Sequence, residues 1–294
     1  MTLADYLKQQ QARVDAEIDR LVPPESVEPK TIHRAMRYSL MAGGKRIRPV
    51  LCLEAAATVG GANQAILPAA CSLEFIHTYS LIHDDLPSLD NDDFRRGKPT
   101  CHKVFGEAMA ILAGDSLLTL AFQVLSELPL LAAERQVRMI AELARASGTT
   151  GGMIGGQVAD IEGEGQPPNA ELLDSIHRAK TGALLCASVR LGAICAGAAE
   201  TDIAALTAYG EHIGLAFQIV DDILDVEESS EALGKTAGKD AHQGKITFPA
   251  VYGLETSRNM AQTECAAAHD AVAGFGSQAQ RLREIADMIV YRKS

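Results

Sequence analysis

Apolar side chains recur at helical spacing along almost the whole chain of 294 residues. In the first segment, one helix face collects five of them: Leu3, Leu7, Val14, Ile18 and Leu21. Pro23 and Pro24 end this helix. The sequence lacks convincing alternation of apolar and polar residues, which would indicate strands. The pattern therefore predicts an all-α fold.

Glycines and prolines divide the rest of the sequence into further helices. We expect these from Thr31 to Gly43, from Pro49 to Gly60, and over residues 63–85, 170–197 and 202–228. Asn169 and Thr201 are suited to cap the last two at their N-termini. Neither a polar linker nor an internal repeat interrupts the sequence. We therefore predict a single domain over residues 1–294, a bundle of about ten or more mostly antiparallel helices.

Composition narrows the classes of function. Apolar residues make up 47% of the sequence, and the net charge is −11, which argues against general binding of nucleic acids. The six cysteines contain no CxxC pair, so we expect reduced, mostly buried thiols rather than disulfides or a zinc site.

The longest apolar stretch runs from Ala183 to Ala199 and contains Arg190. A transmembrane helix needs about 20 apolar residues, so this stretch predicts a core helix rather than a membrane span. The N-terminal segment lacks a basic region followed by an apolar run, the pattern of a secretory signal. We expect a soluble, cytoplasmic protein.

The first of two acidic motifs lies in residues 81–103, where Asp84, Asp85 and Asp90 form a DDxxxxD pattern. On an ideal helix, Asp84 and Asp90 would point about 240° apart. Pro87 forces the chain out of the helix between them, and Asp90 can then return beside Asp84.

The second acidic motif, FQIVDDILD, places Asp221, Asp222 and Asp225 in a DDxxD pattern. At about 3.6 residues per turn, Asp221 and Asp225 share one helix face. A lone acidic pair is more often a solvated helix end. Buried carboxylates are costly unless they are paired or bound to metal, and here the pattern occurs twice among apolar neighbours. Carboxylates with open coordination positions suit Mg²⁺ together with substrate phosphates.

Basic residues that could bind a diphosphate accompany these motifs. The segment GGKRIRP supplies Lys45, Arg46 and Arg48, and Arg95 and Arg96 follow the first motif directly. The planar guanidinium groups of arginine suit phosphate oxygens.

Lys180 projects from an apolar stripe that includes Ile176 and Leu184. A cation in such a place needs an anion, although a lysine that extends its amine to solvent is the alternative. Thr181 and Gly182 beside it favour a local kink in the helix.

Residues 234–245 combine glycines with Lys235, Lys239 and Lys245. This segment is either a mobile basic flap over an anionic ligand or an ordinary solvated loop. His77 lies seven residues before Asp84, on the same helix face, and points towards the predicted site.

These segments together resemble the trans-isoprenyl diphosphate synthase family, and in detail its bacterial-type farnesyl diphosphate synthase (geranyltransferase) branch. The matching segments are GGKRIRP, DDxxxxD followed by RRG, KTG, FQxxDDxxD and GKxxGKD. The DDxxD motif alone is shared with terpene cyclases, but the set covers nearly the whole chain in order. The resemblance implies an isoprenoid-synthase-type helical bundle around a central cavity, and a homodimer.

The resemblance also implies roles for individual residues. Asp84 and Asp90 would hold two Mg²⁺ ions against an allylic diphosphate with Asp85 in support, and Asp221 would bind a third from the opposite wall, near Asp222 and Asp225. The catalytic set would be Asp84, Asp90, Lys180 and Asp221. The allylic diphosphate would contact Arg95, Lys180, Thr181, Gln218, Lys235 and Lys245. Isopentenyl diphosphate would contact Lys45, Arg48, His77 and Arg96.

Tyr79 lies five residues before Asp84, roughly 7.5 Å down the same helix. In this family, an aromatic residue at this position, together with a first acidic motif that is longer by two residues, accompanies fifteen-carbon products. The resemblance therefore implies a farnesyl diphosphate synthase that extends dimethylallyl and geranyl diphosphate, with a geranylgeranyl diphosphate synthase as the nearest alternative.

Other classes explain less of the sequence. His83 and Asp84 form an HD dipeptide, as in metal-dependent phosphohydrolases, with His33 and His77 as further ligands. That class leaves the second DDxxD motif unexplained. A terpene cyclase would carry a different second metal motif. A non-catalytic partner subunit is also disfavoured, because it would not need the intact acidic and basic residues of the predicted site.

Overall fold

In a computed structural model of the protein, residues 1–61, 63–167, 169–231 and 246–292 are described, with side chains of residues 228–231 excepted. Helices form nearly all of the regular structure. In these ranges the only strands are the pair Phe94–Arg95 and Lys98–Pro99, which form a short antiparallel ladder. The all-α prediction is confirmed.

The chain divides into two compact units, of which the first comprises Met1–Leu53 and Ala62–Ile140. The helices that begin in this unit are α1 Leu3–Leu21, α2 Lys30–Leu40, α3 Ile47–Thr58, α4 Ile66–Asp84, α5 Cys101–Phe105, α6 Glu107–Ser126 and α7 Ala133–Ser147. Most side chains of α4 are buried, and α4 packs against α6 and α1. This burial fixes the helix that leads into the first acidic motif.

The second unit comprises Glu54–Gly61 and Ala141–Ser294. Its helices are α8 Met153–Gly163, α9 Ala170–His177, a π-helical segment Arg178–Gly182, α10 Ala183–Ala196, α11 Glu200–Glu231, α12 Phe248–Tyr252, α13 Leu254–Ala271, a 3₁₀ segment Ala273–Ala279 and α14 Gln280–Tyr291. Helix α11 packs along α13 and α10, and it carries the second acidic motif. The expectation of one domain over residues 1–294 stays a prediction.

Helix ends follow the sequence patterns closely, with two differences. Asn169 caps α9 as predicted, because its side chain accepts hydrogen bonds from the backbone N–H groups of Glu171 and Leu172. The prediction that Thr201 caps the next helix is wrong, because α11 already begins at Glu200. The helix expected over 170–197 is interrupted by the π-helical segment, where Thr181 and Gly182 favoured a kink.

Three helical stretches are long and apolar enough to cross a membrane by length and composition: Glu107–Ser126, Ala170–Ala196 and Glu200–Glu227. The stretch expected to be a core helix overlaps the second of them, and ten residues of α10 are buried. The expectation that the protein has no membrane span stays a prediction. All six cysteines are free thiols, and five of them are buried, as predicted.

Candidate active site

The first acidic motif lies at the end of α4. The helix ends at Asp84, and the chain then turns through Pro87. The backbone N–H of Asp90 donates to the carbonyl oxygen of Asp84 at 2.8 Å. The prediction that Asp90 returns beside Asp84 is therefore confirmed, and the turn holds two acidic residues next to each other.

Asp85, between them in sequence, is committed to an ion pair. Its carboxylate is buried and accepts hydrogen bonds from Arg95 Nε, at 2.8 Å to Oδ1 and 3.0 Å to Oδ2, while Arg95 Nη2 lies 2.6 Å away. Burial raises the pKa of Asp85 above its ordinary value, and Arg95 partly offsets this shift. Asp85 and Arg95 thus stabilise the motif, and their roles toward metal and substrate stay predictions.

Positive charges collect around His77, seven residues before Asp84. Burial is the main cause that lowers the pKa of the imidazole well below its usual value, and the nearby guanidinium groups of Arg48, Arg96 and Arg95 add to this shift. His77 is therefore neutral near pH 7 and can act as a hydrogen-bonding group. Three arginines close together create a positive potential that favours an anion.

Arg96 lies against the glycine loop that precedes α3. Its Nη1 donates to the carbonyl oxygen of Gly43. A side chain on Gly44 would place its Cβ 2.7 Å from the same nitrogen, so the Arg96 guanidinium would have to move, and the positive φ of Gly44 also favours glycine. Lys45, the next residue, is exposed. The structure thus brings Arg96 to the GGK loop, although more than 50 residues separate them in sequence.

Arg46, in the same GGKRIRP segment, is held by partners of its own. It is buried and donates to Asp15 at 2.8 Å, to Glu74 at 2.7 Å and to the carbonyl oxygen of Leu40 at 2.6 Å. Because its charge is neutralised inside the first unit, the guanidinium is not available to a substrate.

Tyr79 on α4 is buried, with 5% of its surface exposed. Its ring packs edge-on against His83, with 5.8 Å between the ring centres. The hydroxyl group is enclosed and makes no hydrogen bond with the described residues. Burial, with the charge of Asp84, raises the pKa of Tyr79 to about 12. The ring is therefore packed in the protein interior beside the motif, and its role in product length stays a prediction.

The second acidic motif lines a cavity of about 410 Å³ within the second unit. Polar residues predominate in its lining, which includes Asp160, His177, Lys180, Gln218, Asp221, Asp222, Asp225 and Thr247. Five of these, Lys180, Gln218, Asp221, Asp222 and Asp225, are residues that the sequence predicted for the site. The donor set is oxygen-rich and fits Mg²⁺ with a phosphate.

Asp222 has a structural role in this group. Its Oδ2 accepts a hydrogen bond from the backbone N–H of Phe248 at 2.9 Å, at the start of α12. His177 Nε2 lies 3.3 Å from the same oxygen, and its ring stacks on Phe248. Asp222 therefore joins α9, α11 and α12, and Asp221 and Asp225 remain the candidate metal ligands of the motif.

Lys180 has an anionic partner that the sequence analysis missed. Its Nζ donates to Asp160 Oδ2 at 2.6 Å. Lys180 and half-buried Thr181 lie in the π-helical segment, a distortion frequent at functional sites. Gly156 of α8 packs directly on this backbone, because a Cβ there would lie 2.2 Å from Lys180 N. The sequence signal for this contact was the spacing of Gly156 and Asp160, which lie four residues apart and therefore share one face of α8.

Arg292, after the last helix, is a second residue that the sequence analysis missed. Its Nη2 forms an ion pair with Asp221, and its guanidinium lies over the ring of Phe217, 4.4 Å from the ring centre. Burial raises the pKa of Asp221, and Arg292 opposes that shift. A metal at Asp221 has to share or displace this cation. No local pattern near the chain end indicated the contact.

The predicted contacts of Lys235 and Lys245, and the basic flap over residues 234–245 with Lys239, lie outside the described residues. The HD alternative loses support from His83, because its Nε2 lies 3.0 Å from the carbonyl oxygen of Ile111. That ring also packs on Gly114 of α6. It therefore points into the protein.

Comparison with known proteins gives consistent results. The family model described as polyprenyl synthetase matches residues 29–285. The heterodimeric geranylgeranyl pyrophosphate synthase large subunit 1, chloroplastic, of Arabidopsis thaliana is 51% identical over 288 residues, which cover 96% of this chain and 77% of that relative. An FPP/GFPP synthase from Zymomonas mobilis has a similar structure, with a TM-score of 0.88, 38% identity and 98% of each chain covered. A geranyltransferase from Legionella pneumophila reaches 0.87 with 34% identity, over 99% of this chain and 98% of that chain.

Proposed function

This chain belongs to the polyprenyl synthetase family and is a trans-prenyltransferase. We propose that it uses Mg²⁺ and condenses isopentenyl diphosphate with dimethylallyl and geranyl diphosphate to give farnesyl diphosphate. The observation that supports this most is the cavity in which Asp221 and Asp225 lie with Lys180 and Gln218. This cavity therefore combines carboxylates that could bind a metal with hydrogen-bond donors that could bind a diphosphate.

The proposed reaction has three steps. The C–O bond of the allylic diphosphate breaks, and the electron pair leaves with the diphosphate. The double bond of isopentenyl diphosphate then attacks the allylic carbocation and forms the new C–C bond. Loss of a proton, which the released diphosphate accepts, creates the new allylic double bond.

The side chains stabilise charge in these steps. Asp84, Asp90 and Asp221 would hold Mg²⁺, three ions in our proposal, and the bound metal would supply positive charge for the departing diphosphate. Lys180 and Arg95 add positive charge, and Thr181 and Gln218 add dipoles, which is electrostatic stabilisation of the charge that develops on ionisation. His77, Lys45, Arg48 and Arg96 bind the second diphosphate. Because His77 is neutral, it donates or accepts a hydrogen bond in that contact.

The fifteen-carbon product is proposed because Tyr79 is a buried aromatic residue close to Asp84. A twenty-carbon product is the second candidate. The Arabidopsis relative, 51% identical, is named a geranylgeranyl pyrophosphate synthase, and relatives of this similarity can share a product.

Product analysis tests the function and separates the two candidates. The protein is incubated with Mg²⁺, isopentenyl diphosphate and either dimethylallyl or geranyl diphosphate, and the products are dephosphorylated and separated by chromatography. We expect farnesol after dephosphorylation, and inorganic diphosphate in a sample taken before that step. Geranylgeraniol as the main product would support the second candidate. Phosphate release without elongation would contradict prenyl transfer.

We also propose that the enzyme is a cytoplasmic homodimer. The homodimer comes from the family resemblance, whereas the Arabidopsis relative is named as a heterodimeric, chloroplastic protein. Sedimentation of the purified protein at several concentrations measures the oligomeric state.

Gly44→Ala is expected to weaken the binding of isopentenyl diphosphate. The added methyl group would meet the Arg96 guanidinium at 2.7 Å and displace it. Loss of a hydrogen bond to a charged group costs about 1.5–3 kcal/mol, so the KM for isopentenyl diphosphate should rise roughly tenfold or more. Steady-state kinetics measure this. Gly43→Ala is the matched control, because Gly43 also has a positive φ but nothing lies within 4 Å of its added Cβ. Equal KM values in the two variants would contradict the prediction.

Gly156→Ala is expected to lower kcat by about 10–100-fold, because displacement of Lys180 by roughly 1 Å is enough to misplace its charge. The new Cβ would lie 2.2 Å from the Lys180 backbone nitrogen, so α8 and the π-helical segment must separate. Gly274→Ala is the control in the same unit, since its added Cβ meets nothing within 4 Å. Single-turnover kinetics with geranyl diphosphate measure the effect, and an unchanged rate in Gly156→Ala would refute it.

A further inference from the structure

Three side chains of different chemical type converge at the ends of α13 and α14. Cys265 and His269 are separated by one turn of α13, and Asp287 faces them from α14. The sulfur, one ring nitrogen and one carboxylate oxygen all lie within 4.8 Å of one another. The catalytic proposal uses none of these residues.

The sulfur–oxygen distance agrees with that between two ligands of one tetrahedral metal ion, and the nitrogen–oxygen distance is shorter. Zinc binds sulfur at about 2.3 Å, nitrogen at about 2.0 Å and oxygen at about 2.1 Å, which places sulfur about 3.6 Å and nitrogen about 3.4 Å from the oxygen. In the structure, Cys265 Sγ lies 3.6 Å from Asp287 Oδ1, and His269 Nε2 lies 3.0 Å from the same oxygen.

The direction of the His269 ring supports the same arrangement. Although Asp287 Oδ1 is only 3.0 Å from Nε2, this nitrogen is enclosed and makes no hydrogen bond of acceptable geometry with the described residues. A simple ion pair would direct the N–H at the carboxylate. The Cys265 thiol, which donates to Asp287 Oδ1, and the His269 ring nitrogen both approach this one oxygen, so the three prospective ligand atoms lie together.

From this geometry we propose that Cys265, His269 and Asp287 bind Zn²⁺ or a divalent ion of the same class, and so join α13 to α14. A thiolate and an imidazole favour zinc over magnesium, which prefers oxygen ligands only. Cys265 is buried, whereas the side chains of His269 and Asp287 are 33% and 49% exposed. Solvent can therefore supply a fourth ligand. Cys265 binds as the thiolate, and its proton leaves to the solvent.

The site would differ from the aspartate motifs in chemistry and in effect. Residues 273–279 connect α13 to α14 through a 3₁₀ segment, and the metal would link the two helices beyond it. Helix α14 ends at Tyr291, directly before Arg292, which contacts Asp221. Zinc at the cluster should therefore stabilise the helix that positions Arg292.

Cobalt substitution tests the site directly. The full-length protein, freed of metal, is titrated with Co²⁺, and absorption is recorded. A thiolate-to-cobalt charge-transfer band in the near ultraviolet, with intense visible bands, is expected from a tetrahedral site with one sulfur ligand. Cobalt held by carboxylates of the aspartate motifs has no sulfur ligand and cannot give the charge-transfer band. Zinc added afterwards should bleach these bands.

Variants identify the ligands. Cys265→Ser should abolish the charge-transfer band, and His269→Gln and Asp287→Asn should each weaken Co²⁺ binding by about 100-fold or more. Two controls should leave it unchanged. Cys186→Ser removes the half-buried thiol, and His212→Gln removes a histidine that pairs with Glu264 at 2.7 Å and is not a member of the cluster.

Circular dichroism checks the fold of each variant. If Cys265→Ser fails to fold, the variants His269→Gln and Asp287→Asn test the proposal instead. The absence of the band in the natural protein would overturn the proposal. The proposal would also be overturned if the band survived in Cys265→Ser. The same holds if the Co²⁺ affinity of His269→Gln lay within about threefold of the natural value. Thermal unfolding gives a second readout, in which saturating zinc should raise Tm by roughly 5 °C more in the natural protein than in Asp287→Asn, because both retain the aspartate motifs.

Discussion

Replacement of Asp84 by Asn is expected to lower kcat by about 10³-fold, because it removes one charge where Mg²⁺ would be held against the departing diphosphate. The change keeps the shape of the side chain. It also leaves the backbone bond from Asp90 N–H to the Asp84 carbonyl oxygen, which holds the turn together. Loss of activity would therefore report on charge rather than on the fold of the motif.

The assay is steady-state kinetics over a range of Mg²⁺ concentrations. The Mg²⁺ concentration for half-maximal activity should rise together with the fall in kcat. Asp93→Asn is the matched control, since Asp93 lies in the same loop, carries the same charge and pairs with Lys103 at 2.7 Å on the surface. Asp93→Asn should retain nearly full activity. A similar loss in both variants would show that the acidic loop, not Asp84, is responsible.

Tyr79→Ala is expected to convert the main product from fifteen carbons to twenty or more. The ring lies on α4, roughly 7.5 Å from Asp84 along the helix axis, and its removal opens space for further prenyl units. The natural enzyme and the variant are incubated with geranyl diphosphate and excess isopentenyl diphosphate, and the products are separated by chromatography. A variant that still makes only the fifteen-carbon product would contradict the role of Tyr79.

Tyr79→Phe provides the control for this experiment. It keeps the ring and removes a buried hydroxyl group that has no hydrogen-bond partner among the described residues. Product length should stay at fifteen carbons, and the protein should be at least as stable as the natural one, because an unpaired buried polar group costs about 1–3 kcal/mol. Tyr79→Ala itself should lower stability by about 3–5 kcal/mol, as do other aromatic truncations in cores. Denaturant unfolding separates that loss from the change in product.

Much of the site was accessible from short sequence segments. Asp84, Asp90, Asp221 and Asp225 each lie in a compact motif, and the break at Pro87 followed from backbone geometry alone. The distortion at Lys180 was also foreseen, because Thr181 and Gly182 are poor choices inside a helix. These features depend on residues within about two helical turns of each other, so their geometry follows from the local rules of the helix.

Pairings between distant residues were not accessible in this way. The sequence offered Arg46 as a free cation, but Asp15 and Glu74 neutralise it. It also placed Asp222 beside the metal ligands without revealing that Asp222 caps the start of α12. With 38 acidic residues in the chain, local spacing cannot select which of them meets a given cation.

The periodicity of apolar residues was thus enough to establish the helical class, and the two aspartate motifs were enough to indicate metal–diphosphate chemistry, because both are properties of short contiguous segments. The packing of helices established what those residues touch: Asp160 on Lys180, Arg292 on Asp221, and Asp287 with Cys265. Cysteine spacing predicted no zinc site, whereas the approach of α13 and α14 brings a thiol, an imidazole and a carboxylate together. These contacts matter because a buried charge is costly without a partner, and the fold determines which partner lies close to it.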